Sequence, residues 1–80
     1  MRYTVAWEDP ALDQLATIWT QAADRQAVRD AADQVDRELA YSPETKGTDF
    51  YGDRLIVIGP LQVVFKVDTA RREVTVLQVW

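Results

Sequence analysis

Three cations carry what chemistry this sequence has: Lys46, Arg54 and Lys66. They lie in the second half of an 80-residue chain that has no histidine and no cysteine. Without those two residue types no Ser/His/Asp or Cys/His constellation can form. Any chemistry therefore falls to carboxylates, Tyr, Lys or Arg. Tyr41, Phe50 and Tyr51 stand near the three cations in sequence. Cations beside aromatic rings are the ingredients of a single-stranded nucleic-acid surface, where bases stack and phosphates are neutralised. The same Arg and Lys at strand edges also serve solubility. A second group is Asp30, Asp33 and Asp36. At helical spacing these carboxylates could share a cation or a proton. They are interleaved with Arg25, Arg29 and Arg37, so a solvated helix face is the expected reading, with pairs such as Arg29–Asp33 and Asp33–Arg37. A zinc site would have carboxylates alone, and no glycine-rich phosphate loop exists: the three glycines are scattered at 47, 52 and 59. No metal and no cofactor is expected.

The elements that must position these residues can be read from periodicity. Tyr3, Val5 and Trp7 alternate with Arg2, Thr4 and Ala6, which predicts a strand over 2–7. Asp9 and Pro10 suit an N-cap and a first helical position. Leu12, Leu15, Ala16 and Trp19, widened by Ile18, predict a helix over about 10–22, with Trp7 and Trp19 in the core. Asp24 is the expected cap of a second helix over about 24–40, whose stripe is Val28, Ala31, Ala32, Val35 and Leu39. The short link makes the two helices antiparallel neighbours. Ser42-Pro43 ends the second, and residues 43–53 read as a loop. Strands follow at 54–58, 61–67 and 73–80, separated by Gly59-Pro60 and by 68–72, as in an antiparallel meander. The expected architecture is α+β, of order β-α-α-β-β-β, with a helical hairpin on a small, mainly antiparallel sheet in one domain spanning 1–80.

Alternation assigns faces to the last strands. Leu61, Val63, Phe65 and Val67 are expected toward the hairpin, with Val74, Val76 and Trp80 on one side of the final strand. Gln62, Val64 and Lys66 fall on the other face with Thr75, Leu77 and Val79. Arg54 and Lys66 are expected to share this open face. An apolar patch rimmed by polar groups often marks a partner site, so Gln62, Val64, Leu77, Val79 and Trp80 are candidate partner-binding residues. The net charge of −4 is uneven: residues 1–45 hold four arginines and nine acids, and residues 46–80 five cations and four acids. The helical half therefore repels polyanions, and function is expected on the sheet side. Met1 to Pro10 contains no apolar run of signal-peptide length, and no segment approaches the roughly 20 apolar residues of a membrane span, so a cytoplasmic protein without membrane contact is expected.

Five stretches together resemble the RelE/ParE toxin superfamily of type II toxin–antitoxin systems, which includes plasmid stabilisation proteins. They are YTVAW, DPALDQLATIW, RELAYSPETKG, RLIVIGPLQVVFKVD and REVTVLQVW. Pro43 and Gly47 stand where that family has a Pro and a Gly between its second helix and the sheet. Phe65-Lys66-Val67-Asp68 matches its aromatic–spacer–aliphatic–acid strand. The resemblance implies an antitoxin that wraps the protein. It also implies one of two targets: the ribosome, for RelE-like members that cut mRNA with Arg and Lys on the sheet, or DNA gyrase, for ParE-like members that are not nucleases. Members commonly place an Arg where this chain has Gln62, and continue past the last strand with His or Arg where this sequence ends at Trp80. Arg54 and Lys66, and more loosely Lys46, are then the candidate catalytic cations. Phosphoryl chemistry needs several such groups at the transition state. The expected function is therefore toxin-like action through protein partners. A ribosome-dependent endoribonuclease is the alternative, and a non-toxic relative acting as an interaction module or homodimer is a third.

Overall fold

The computed structural model describes residues 2–80. The order is β1 (Thr4–Trp7), α1 (Asp9–Gln21), α2 (Arg25–Leu39), a 3₁₀ turn (Pro43–Thr45), β2 (Thr48–Phe50), β3 (Asp53–Ile58), β4 (Leu61–Asp68) and β5 (Glu73–Val79). The five strands form one sheet in the order β1-β5-β4-β3-β2. Its pairings are antiparallel except β1 with β5, which is parallel. The α+β class, the helical hairpin and the final meander are as the periodicity predicts. Residues 43–53 are not simply a loop: they hold the 3₁₀ turn and β2, a three-residue strand too short to show periodicity.

The helices differ in how well their sequences report them. Asp24 caps α2, accepting from the Ala27 N–H at 3.1 Å, and Val28, Ala31, Val35 and Leu39 are buried. In α1 the N-cap is Glu8 rather than Asp9, with no side-chain capping bond. The buried line is also shifted. Ala11 is fully buried, and Leu15, Ile18 and Ala22 pack beside it, at spacings of four and three. Leu12 and Trp19 are 47% and 38% exposed. Trp19 is therefore not a core residue; the Arg25 guanidinium lies over its ring at 4.6 Å. Trp7 does pack against the core, and its Nε1 donates to Asp36 Oδ1 at 2.8 Å. The pairs Arg29–Asp33 and Asp33–Arg37 do not form; the ion pairs among the described residues are Lys46–Glu38 and Arg71–Asp68. No helix among the described residues is long and apolar enough to cross a membrane.

One irregularity redistributes the faces of β5. Phe65 pairs with Val76 and Val64 with Gln78, so Leu77 has no partner on β4. This bulge reverses the alternation beyond it. Val79 consequently opposes Val63 and is 1% exposed, in the same core as Val74, Val76, Phe65 and Leu61. Its N–H points away from β4 beyond the end of β1, and Gln14 Oε1 on α1 accepts it at 2.8 Å. Trp80 then lies opposite Gln62, exchanging both backbone hydrogen bonds at 2.9 and 2.7 Å.

Candidate functional site

The three candidate cations do not converge. Arg54 pairs with Phe65 across the β3–β4 ladder and so lies on the hairpin side of the sheet. Lys66, one residue on, lies on the opposite face and is exposed. The expected shared face is therefore not formed, because the register places Arg54 one step out of phase with Lys66. Arg54 instead holds the chain leading into β2: its Nε donates to Lys46 O at 2.6 Å and one terminal nitrogen to Gly47 O at 3.0 Å. Lys46 turns back to α2, where its Nζ meets Glu38 Oε2 at 2.8 Å and Glu38 O at 3.3 Å. Two of the three cations are thus held within the fold, Arg54 through two of its five N–H groups and Lys46 through its ammonium, and Lys66 has no ion pair among the described residues. Removal of Arg54 in Arg54→Ala is expected to destabilise the protein by about 2 kcal/mol, because two charge-assisted hydrogen bonds to carbonyls are lost. Lys66→Ala should change stability by less than about 0.5 kcal/mol. Urea titrations of both variants check the difference.

The five candidate partner-binding residues divide. Val79 belongs to the helix-side core, because the bulge turns it inward. Val64 stays on the far face but is 3% exposed. The Phe50 and Trp80 rings, from β2 and from the end of β5, approach to 6.2 Å across this face, with Tyr51 edge-on to Phe50 at 4.9 Å. The strand carrying Val64 runs between them, so the middle of the far face is covered by the protein's own aromatics. Leu77 is half-buried. Gln62 and Trp80 remain accessible beside Val57, which is 66% exposed. The expected patch is thus smaller and more aromatic than alternation implies.

Two surfaces escaped the sequence reading. One is an apolar groove of about 260 Å³ between α1 and α2, with Leu12, Ala16 and Trp19 on one wall and Val28, Arg29 and Ala32 on the other. The other is a trough of about 610 Å³ between β1 and the C-terminal half of α2, lined by Arg2, Tyr3, Val5, Trp7, Asp36 and Ala40. Burial, and then the neighbouring Glu44 carboxylate, hold the Tyr3 phenol above its ordinary pKa. The alternation of Tyr3, Val5 and Trp7 marks a strand, but nothing in it says that this strand is a sheet edge. The acids of α2 serve singly: Asp30 accepts from Gln26 and Asp36 from Trp7.

No family model and no curated protein matches the sequence. Solved structures do match. The chain is 17% identical to a chain of the RelBE2 toxin–antitoxin complex of Mycobacterium tuberculosis, covering 100% of this chain and 91% of that one, with a TM-score of 0.79. It is 19% identical to a chain of the chromosomal ParDE toxin–antitoxin system of P. aeruginosa, covering 98% and 94%, with a TM-score of 0.77. A variant of the E. coli toxin RelE in the free state shares 18% identity over 99% of this chain and 82% of that one, with a TM-score of 0.68. At these identities the likeness is one of fold. The two helices on a five-stranded mixed sheet are the fold of the RelE/ParE toxins.

Proposed function

We propose that the chain is the toxin-type member of a toxin–antitoxin pair and that it acts by binding proteins rather than by cutting RNA. The observation that carries this reading is the commitment of Arg54 and Lys46 to their own backbone and to Glu38, on the face away from Lys66. A phosphoryl-transfer site has to surround the scissile phosphate with preorganised cations, and a lone exposed lysine supplies one. The partner half of the proposal is supported by the similar folds having been solved within toxin–antitoxin complexes.

Induced expression of the chain alone is expected to arrest growth, and co-expression of a small protein encoded beside it to restore growth. Transcripts from the arrested cells should show no induced cleavage. Codon-specific cleavage that disappears in Lys66→Ala would reverse the second half of the proposal. Unimpeded growth on induction would reverse the first.

A further inference from the structure

The far face of the sheet has two unlike ends. Residues 55–65, which hold the β3–β4 turn, and 76–80, at the end of β5, contain no Asp, Glu, Lys or Arg. The register brings them together: Val57 lies opposite Gln62, and Gln62 opposite Trp80. Val57 stands beyond the end of β2 and is exposed, as are Gln62, Gln78 and Trp80. The Phe50 ring reaches toward Trp80, and Tyr51, edge-on to Phe50, is almost wholly exposed. Tyr51, Phe50, Trp80, Gln62 and Val57 thus form one uncharged, largely apolar ridge. By the two-residue period, charge on this face begins at the other end, with Asp53 and Lys66 and then Asp68 and Glu73. From the hairpin, Asp13 lines an opening beside Trp80.

Two features of the ridge suit a second copy of the same chain. Its polar groups are the amides of Gln62 and Gln78. An amide both donates and accepts, so it can pair with its own copy across a two-fold axis. A lysine or a carboxylate at either place would repel its copy. The second feature is where the charge lies. Residues 9–39 hold three arginines against seven acids, a net −4 on the hairpin. Stacking far face on far face puts both hairpins in the outer layers. Two sheets packed about 10 Å apart then stand between them, a separation beyond the Debye length of about 8 Å at physiological salt. Contact through the hairpins would instead press the two acidic surfaces together.

We infer that the chain forms a two-fold dimer through the far face of its sheet, centred on Val57, Gln62 and Trp80. The interface is self-complementary, as a two-fold axis requires. The ridge is at the small end of specific interfaces, so the dimer is expected to dissociate with a Kd of about 10 µM. This inference does not rest on the antitoxin reading and adds to it a partner present whenever the chain itself is concentrated.

The test is sedimentation equilibrium of the chain alone across a range of concentrations. The parent protein should pass from monomer to dimer near the stated Kd. Val57→Glu should raise that Kd at least about tenfold, by setting like charges against each other at the interface. Gln62→Glu, which keeps the shape of the side chain, should do the same, and urea titrations establish that both variants fold. Leu12→Glu, in the groove between α1 and α2, should leave dimerisation unchanged. A chain that is monomeric even at about 1 mM overturns the inference. So does a dimer weakened by Leu12→Glu and not by Val57→Glu or Gln62→Glu, which assigns self-association to the hairpin. A monomer whose Val57 and Trp80 become protected only with the co-expressed product of the neighbouring gene assigns the face to that partner and overturns the inference too. Growth arrest enters none of these readings, so failure of the dimer leaves the antitoxin reading standing.

Discussion

Replacement of Gly47 by alanine is expected to cost about 3 kcal/mol and to lower the unfolding midpoint by roughly 12–24 °C in a domain of this size. Two effects add. Gly47 has φ of +68°, a left-handed conformation that costs an L-residue about 1–2 kcal/mol. A Cβ there would also collide with the carbonyl oxygen of Leu55 and lie 2.9 Å from its carbonyl carbon. Those atoms are β3 backbone, fixed by pairing with β4 on the far side, so they cannot retreat without breaking the ladder. Relief by moving residue 47 instead would disturb the bond from Arg54 to Gly47 O. Gly52 is the control. It has φ of +92° but open space around it, so Gly52→Ala carries only the conformational cost. Thermal melts of the two variants separate close approach from backbone strain. Equal melting points would mean that the contact between Gly47 and β3 contributes nothing.

The second large effect is at the bulge. Val79→Asp is expected to abolish or nearly abolish folding, with a cost of about 4 kcal/mol, because it buries an unpaired carboxylate among Val63 and the hairpin. Leu77→Asp should cost about 1 kcal/mol, since Leu77 is half-buried and unpaired. Uninterrupted alternation along β5 would put Leu77 and Val79 on the same face and predict like effects. Chemical denaturation of both variants discriminates the two registers, and a Leu77→Asp variant as damaged as Val79→Asp would contradict the bulge.

These residues show how much of the molecule the sequence carries. Where local pattern and tertiary contact agree, as along Val28, Ala31, Val35 and Leu39, reading and structure coincide. The strands of the meander were legible because Gly59-Pro60 and the polar residues 68–72 punctuate them. The bulge was not, because Val76-Leu77-Gln78-Val79 offers an apolar residue to either phase. The buried line of α1 was obscured in a similar way. Leu12 and Trp19 are the larger apolar side chains, yet small Ala11 is what lets the helix approach the sheet. For the candidate site, residue types were legible and their directions were not. Whether Arg54 faces Lys66 depends on a one-residue register choice, and the identity of β1 as an open edge depends on a pairing with residues near the other end of the sequence.

That parallel pairing has a consequence in time. Thr4–Trp7 find their partners only in Glu73–Val76, about seventy residues later. At translation speeds of about 5–20 residues per second, β1 waits roughly 4–14 s before β5 exists to receive it. Through that interval the first strand has both edges unpaired, and Trp7 lacks one wall of its packing. Completion of the sheet is therefore a late event in synthesis, because β1 joins it only after β5 has been made.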